Sequence, residues 1–137
     1  MALICDTGPL LAALDAADRD HERCARLLID ANEDLVVPTL VLAELDYWCG
    51  RRLPPDAWLI FLEDLLAGAY RIESPTSMDL ARCRELQARY ADLSLGVVDA
   101  SIVALTERLT EPKVATLDQR HFRAVRPAHV ASLELLP

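Results

Sequence analysis

Leu3-Ile4-Cys5-Asp6-Thr7-Gly8-Pro9-Leu10 carries three apolar residues straight into an aspartate, breaks at Thr-Gly-Pro, and starts a second apolar run at Leu10. A short apolar run without polar alternation marks a strand buried on both faces, as in the middle of a parallel sheet. Asp6 then stands at the carboxyl end of that strand, where open α/β sheets form their ligand crevices. A carboxylate delivered there by a buried strand calls for a cation or a substrate.

Outward from this stretch, short apolar strands alternate with helices. Leu10 to Leu14 is expected to be a short helix, followed by a break at Asp15-Ala16-Ala17-Asp18. His21 to Ala31 has Cys24, Leu27 and Leu28 at helical spacing. Leu35 to Val37 is a second strand. Thr39 is placed to cap a helix from Leu40 to Cys49 that Gly50 stops. Asp56 to Ala67 is a further helix and Ala69 to Ile72 a third strand. Ser77 to Tyr90 is a helix for which Thr76 and Asp79 have capping-box spacing. Gly96 to Leu109 is a helix with Val98, Ile102, Leu105 and Leu109 on one face, and Lys113 to Leu117 is a fourth strand ending at Asp118. Phe122 to Val125 and Ala131 to Leu136 are expected as edge strands. The alternation predicts an α/β fold with a mainly parallel sheet.

A chain of 137 residues, 53% of them hydrophobic, fits one domain over residues 1–137 with a sizeable core. The longest uncharged run, Leu35 to Ala43, is nine residues, against the roughly 20 that cross a bilayer. With no basic leader, the expectation is a cytoplasmic protein without a membrane segment. Cys5, Cys24, Cys49 and Cys83 are scattered without a C-x-x-C pair, so reduced core thiols are expected, and no zinc site. The net charge of −8 argues against broad, nonspecific binding to nucleic acid. A local basic rim stays open, since thirteen of the fourteen basic residues are arginines, the better fork for phosphate. Arg51 and Arg52 are expected as solvated loop charges.

Four carboxylates occupy places where folding alone favours something apolar. Asp6 ends the first strand. Glu44 lies in the helical stripe Val41, Glu44, Leu45, Trp48. Asp99 interrupts the otherwise uncharged Leu95 to Leu105, and Asp118 follows Val114-Ala115-Thr116-Leu117. Each has a structural alternative: a helix cap for Asp6 or Asp99, a turn for Asp118, a stripe edge for Glu44. Taken together they would converge on one rim of the sheet. Like charges that close oppose ionisation unless a cation joins them, and no Lys or Arg lies within three residues of Asp6 or Asp99. The ion that suits an all-oxygen site is Mg²⁺ or Mn²⁺, and such ions in an open crevice serve phosphodiester hydrolysis.

Ile4-Cys5-Asp6-Thr7, Thr39 to Leu45, Leu95 to Leu105 and Val114 to Phe122, in this order and spacing, resemble the PIN-domain ribonucleases, specifically the VapC toxins of bacterial type II toxin–antitoxin pairs. The resemblance implies a three-layer α/β/α fold and a Mg²⁺- or Mn²⁺-dependent endoribonuclease that hydrolyses RNA with a metal-activated water. It implies Asp6 and Asp99 as direct metal ligands. Asp118 would complete that site or hold a second metal, and Glu44 would bind a second metal or orient the water. Thr7 and Thr116 match hydroxyl residues that support the acids by hydrogen bonding. A homodimer and a cognate VapB-type antitoxin are also implied. Gly8-Pro9 departs from the commoner Ser or Asn and Ala at these positions and leaves the acids intact.

Arg120 and His121 follow Asp118 and are candidates for RNA phosphate contacts, with a capped turn as the alternative. Trp48, Trp58 and Phe61 are candidates for an apolar patch between protomers. A haloacid-dehalogenase-type phosphatase needs a second acid at position 8, which is glycine, and a receiver domain needs a lysine ending a late strand. The rival that stands is a PIN-like module that binds RNA or protein without cutting.

Overall fold

The computed structural model describes residues Met1–Pro137. Its centre is β1 (Ala2–Cys5), buried at every position, because both faces of this strand meet other elements and none of its side chains needs water. The chain continues through α1 (Thr7–Leu14), α2 (His21–Asp30), β2 (Asp34–Pro38), α3 (Thr39–Arg52), α4 (Ala57–Leu66), β3 (Arg71–Glu73) and α5 (Ser77–Arg89). After one 3₁₀ turn at Ala91–Leu93 come α6 (Val97–Leu109), β4 (Lys113–Ala115), α7 (Gln119–Ala124) and β5 (Glu134–Leu136).

All four strand pairings are parallel, in the order β3-β2-β1-β4-β5. Ile4 faces Val36 on one side and Val114 on the other. The chain winds from β1 outward to β3 and then crosses back over β1 to β4, so right-handed connections put α1 to α4 on one face and α5 to α7 on the other. The winding direction reverses between β1 and β4. Beyond the carboxyl ends of these two strands lies the crevice that such a switch point opens. A single cluster of 26 buried residues joins both layers through the sheet. All four cysteines are buried and unpaired, as expected. No helix is long and apolar enough to cross a membrane.

The capping box is present in full: Thr76 Oγ1 accepts from the Asp79 amide at 3.1 Å, and Asp79 Oδ2 accepts from the Thr76 amide at 2.9 Å. Several boundaries differ from expectation. The segment expected as an edge strand at Phe122 to Val125 is instead the end of helix α7, which runs to Ala124, with Val125 as its extended cap. Phe122 and Val125 are buried three apart while Arg123 and Ala124 are exposed, a helical period that four residues are too few to reveal. The last strand covers only Glu134–Leu136, matching the three residues of β4 that it pairs with. Strand β3 lies two residues later at its start than Ala69, and β4 stops at Ala115.

Helix α1 begins at Thr7, not Leu10, since Pro9 falls in its first turn, where no amide donor is required. Thr39 is the first residue of α3 and not its cap. Its hydroxyl donates instead to Glu73 O at 3.2 Å and lies 2.7 Å from Ser74 Oγ, tying α3 to the end of β3. Gly50 does not stop α3, which runs to Arg52 and ends at the extended Leu53 that precedes Pro54. Phe61 is 2% exposed, packed between Trp58 and Tyr70, and Trp48 and Trp58 are half-buried. The exposed apolar side chains of α4 are Leu59, Ile60 and Leu66.

Candidate active site

Asp6 leaves β1 at the switch point. Its amide still donates to Ala115 O at 2.9 Å, so the β1–β4 ladder fixes its backbone. The side chain is 6% exposed. Oδ1 accepts from the Thr7 amide at 2.8 Å, capping α1, and Oδ2 accepts from Thr116 Oγ1 at 2.8 Å. The cap and the ligand candidate are thus one residue. Thr116 Oγ1 also accepts from the Asp118 amide at 3.0 Å, so one hydroxyl aligns the acids at the ends of both central strands.

Glu44 arrives on α3, whose inner face is held by Val41, Leu45 and Cys49. Thr7 Oγ1 donates to Glu44 Oε1 at 2.5 Å. Asp99 sits in the first turn of α6, and His121 on α7 bridges it to Asp118: Nδ1 lies 3.0 Å from Asp99 Oδ2 and 3.1 Å from Asp118 Oδ2. Asp6, Glu44, Asp99 and Asp118 all line one open cleft of about 650 Å³. Gly8 permits the closure on this side, because a Cβ there would come within 3.2 Å of Leu117 Cβ, next to Asp118.

The electrostatics follow from this crowding. Burial pushes the Asp6 carboxyl up to about 6. The hydrogen bonds from Thr116 and the Thr7 amide oppose that rise, and the charges of Asp99 and Glu44 add to it. Asp99 is raised by burial first and by Asp118 and Glu44, with His121 pulling the other way. The Cys5 thiol is pushed up to about 12 by burial and by Asp6 beside it, so it is no nucleophile at neutral pH. No arginine or lysine is bonded to these acids. Carboxylate oxygens from four residues suit a hard divalent cation, and ligand atoms of Asp99, Asp118 and His121 lie within 4.8 Å of one another. The donor set fits Mg²⁺ or Mn²⁺.

The structure therefore gathers Asp6, Glu44, Asp99 and Asp118, with Thr7 and Thr116 bonded to two of them. His121 turns Nδ1 inward to the acids rather than outward, and Arg120 is exposed on α7. Sequence reasoning missed Arg52. With α3 extended past Gly50, its guanidinium carbon lies 4.5 Å from the centre of the Trp48 ring, and both residues line the acidic cleft. The i,i+4 spacing was the available signal.

Comparison with known proteins agrees with this architecture. The family model described as PIN domain matches residues 3–127, and the chain belongs to the PIN domain family. Over 135 residues it is 34% identical to Ribonuclease VapC26 of Mycobacterium tuberculosis, spanning 98% of this chain and 100% of that protein, which places it with the VapC proteins of that family. Its fold is similar to that of VapC20 from Mycobacterium tuberculosis, described as a Sarcin-Ricin loop cleaving toxin. The TM-score is 0.82 at 22% identity, over 94% of this chain and 98% of that one. VapBC2 from Rickettsia felis, solved bound to a DNA fragment from its promoter, superposes with a TM-score of 0.71 at 18% identity, over 100% of both chains.

Proposed function

We propose that this chain is a VapC-type, metal-dependent endoribonuclease acting in the cytoplasm, a homodimer neutralised by a cognate VapB-type antitoxin. One observation carries the catalytic part: four carboxylates from β1, α3, α6 and the end of β4 line a single cleft with no arginine or lysine bonded to any of them. Full-length identity to a protein named a ribonuclease supports the substrate. VapBC complexes among the structures of like fold support the antitoxin. The exposed Leu59, Ile60 and Leu66 on α4 are an apolar surface available to a second protomer. A sedimentation profile showing only monomer removes the dimer.

Asp6, Asp99 and Asp118 would hold Mg²⁺ or Mn²⁺, with Glu44 at the margin of the site. When bound, the cation lowers the pKa of water and neutralises charge growing on the phosphoryl oxygens. Thr116 and the Thr7 amide hold both oxygens of Asp6 in one orientation, so the carboxylate is aimed before any ligand arrives. Thr7 occupies Oε1 of Glu44, leaving Oε2 to take a proton from the attacking water. The water oxygen bonds to phosphorus, the bond to the 3′ oxygen breaks, and the departing oxygen takes a proton from solvent water in the open cleft while Glu44 gives its own back to solvent. His121 holds Asp99 and Asp118 together throughout.

Purified protein incubated with total RNA tests this. Discrete products with Mg²⁺ or Mn²⁺, absent in EDTA and absent in folded Asp6→Ala and Asp99→Ala variants, are expected. Folded wild-type protein that leaves total RNA intact with every metal, yet retains it on a filter, would instead make the chain a binding module.

A further inference from the structure

Helix α3 continues beyond Glu44 into Tyr47-Trp48-Cys49-Gly50-Arg51-Arg52. At i,i+4 spacing each arginine lies over a ring: Arg51 Cζ is 4.8 Å from the Tyr47 centroid and Arg52 Cζ 4.5 Å from that of Trp48. The two rings meet edge-on at 5.1 Å. Tyr47 is 51% exposed, and both arginines are exposed.

Of the other twelve cations seven are engaged with carboxylates, while Arg89 lies over Tyr90, Arg123 bonds Gln119, and Arg84, Arg120 and Arg126 have no carboxylate partner. Arg19 and Arg23 lie against Asp20, Arg26 against Glu22, Arg71 against Glu73, Arg82 against Glu107, Arg108 against Asp79, and Lys113 against Glu33. In a chain with 22 acids, two adjacent arginines stacked on rings rather than on acids keep their outward N–H groups for another anion. Arg52 and Trp48 are continuous with the acidic cleft. A polyanion entering that cleft meets a protein of net charge −8 and needs a local grip to overcome the repulsion.

We propose that the Tyr47–Arg51 and Trp48–Arg52 pairs form a track for unpaired RNA beside the scissile bond. Arg52 takes the phosphate next to the one at the acids, Arg51 takes a further phosphate, and the exposed Tyr47 ring stacks a base. Stacking platforms joined to guanidinium groups suit single strands, whose bases are free to splay, and a duplex offers them no base face. The proposal rests on the nuclease reading for its location, but its test is separate.

The test measures binding without turnover, with Ca²⁺ in place of Mg²⁺ and a fluorescent 12-nucleotide oligouridine, against a 12-base-pair RNA duplex. The Arg51→Gln/Arg52→Gln double variant, with folding checked by circular dichroism, should lose about tenfold or more in affinity for the single strand. At about 0.7 per phosphate contact, its salt slope should be shallower by roughly 1.4. Its calorimetric Mn²⁺ affinity should be unchanged, because neither arginine contacts the acids. In a Trp58→Phe background, the remaining Trp48 emission should change on titration with oligouridine. Arg52→Lys should restore only part of the affinity, since lysine keeps the charge and loses the fork.

Unchanged affinity and salt slope in the double variant would overturn the track, as would equal retention of the duplex. So would a loss confined to capture of an acidic peptide. If wild-type protein cuts no RNA yet the double variant loses oligouridine binding, the nuclease reading fails and the track stands. If wild-type protein cuts RNA and the double variant cuts it with the same KM, the track alone fails.

Discussion

Asp6→Asn should make the metal-free protein more stable at neutral pH. The native carboxyl is raised from 3.8 to about 6, chiefly by burial. A raised carboxylate pKa means that the folded state binds the proton more tightly than the unfolded state does. Ionised Asp6 therefore opposes folding above pH 6, and the opposition is relieved as pH falls through 6 towards 4. At roughly 1.4 kcal/mol per factor of ten, the cost is about 3 kcal/mol at pH 7.5 and about 1 kcal/mol at pH 4.5. Asparagine keeps an acceptor for the Thr7 amide. Its NH₂ replaces the Oδ2 that accepted from Thr116 Oγ1, so the buried hydroxyl hydrogen loses its acceptor and a hydrogen bond worth about 1 kcal/mol is lost. The net gain is about 2 kcal/mol at pH 7.5 and close to zero at pH 4.5. Urea unfolding followed by circular dichroism in EDTA at both pH values measures it. An equal gain at the two pH values, or none at pH 7.5, would refute the reasoning, because a carboxylate under electrostatic strain must show its cost where it is ionised.

Three further outcomes follow from the same geometry. Thr116→Val removes the fully buried hydroxyl that donates to Asp6 and accepts from Asp118. It should cost about 2 kcal/mol in urea unfolding and lower calorimetric Mn²⁺ affinity about tenfold. Asp79→Ala deletes half of a capping box and the 2.9 Å partner of Arg108. It should cost about 2–3 kcal/mol while RNA cleavage at 25 °C is retained, since Asp79 does not line the cleft. Mn²⁺ at a hundred times its dissociation constant should stabilise the wild type by about 2.7 kcal/mol, read as a thermal shift that Asp99→Ala abolishes.

The legible parts of the sequence were those governed by neighbours. Leu3 to Cys5 declared a doubly covered strand because no polar residue interrupts it, and the strand's end located Asp6. Thr76 and Asp79 declared a helix start because both halves of the capping box lie within four residues. What escaped depends on contacts distant in sequence. Gly50 looks like a stop until α3 is seen to continue to the prolines, and with that boundary went the position of Arg52 in the cleft. Thr39 looks like a cap until Glu73 and Ser74 arrive, 34 and 35 residues later, to take its hydroxyl. The inward turn of His121 is set by Asp99, 22 residues upstream. The acids themselves were conspicuous because each was misplaced for folding. Their convergence depended on the order of the strands, which alternation alone leaves open.

The bond between Thr116 and Asp6 closes a loop of 110 residues. A ribosome making this chain completes Asp6 first, then Glu44, then Asp99, and releases β4, Thr116 and Asp118 after all three. Until then the first strand has one neighbour instead of two, and its terminal carboxylate has no hydroxyl to aim it. A ribonuclease assembled in this order would lack its complete acidic cleft until β4 has emerged, with the order of translation serving as its first safeguard.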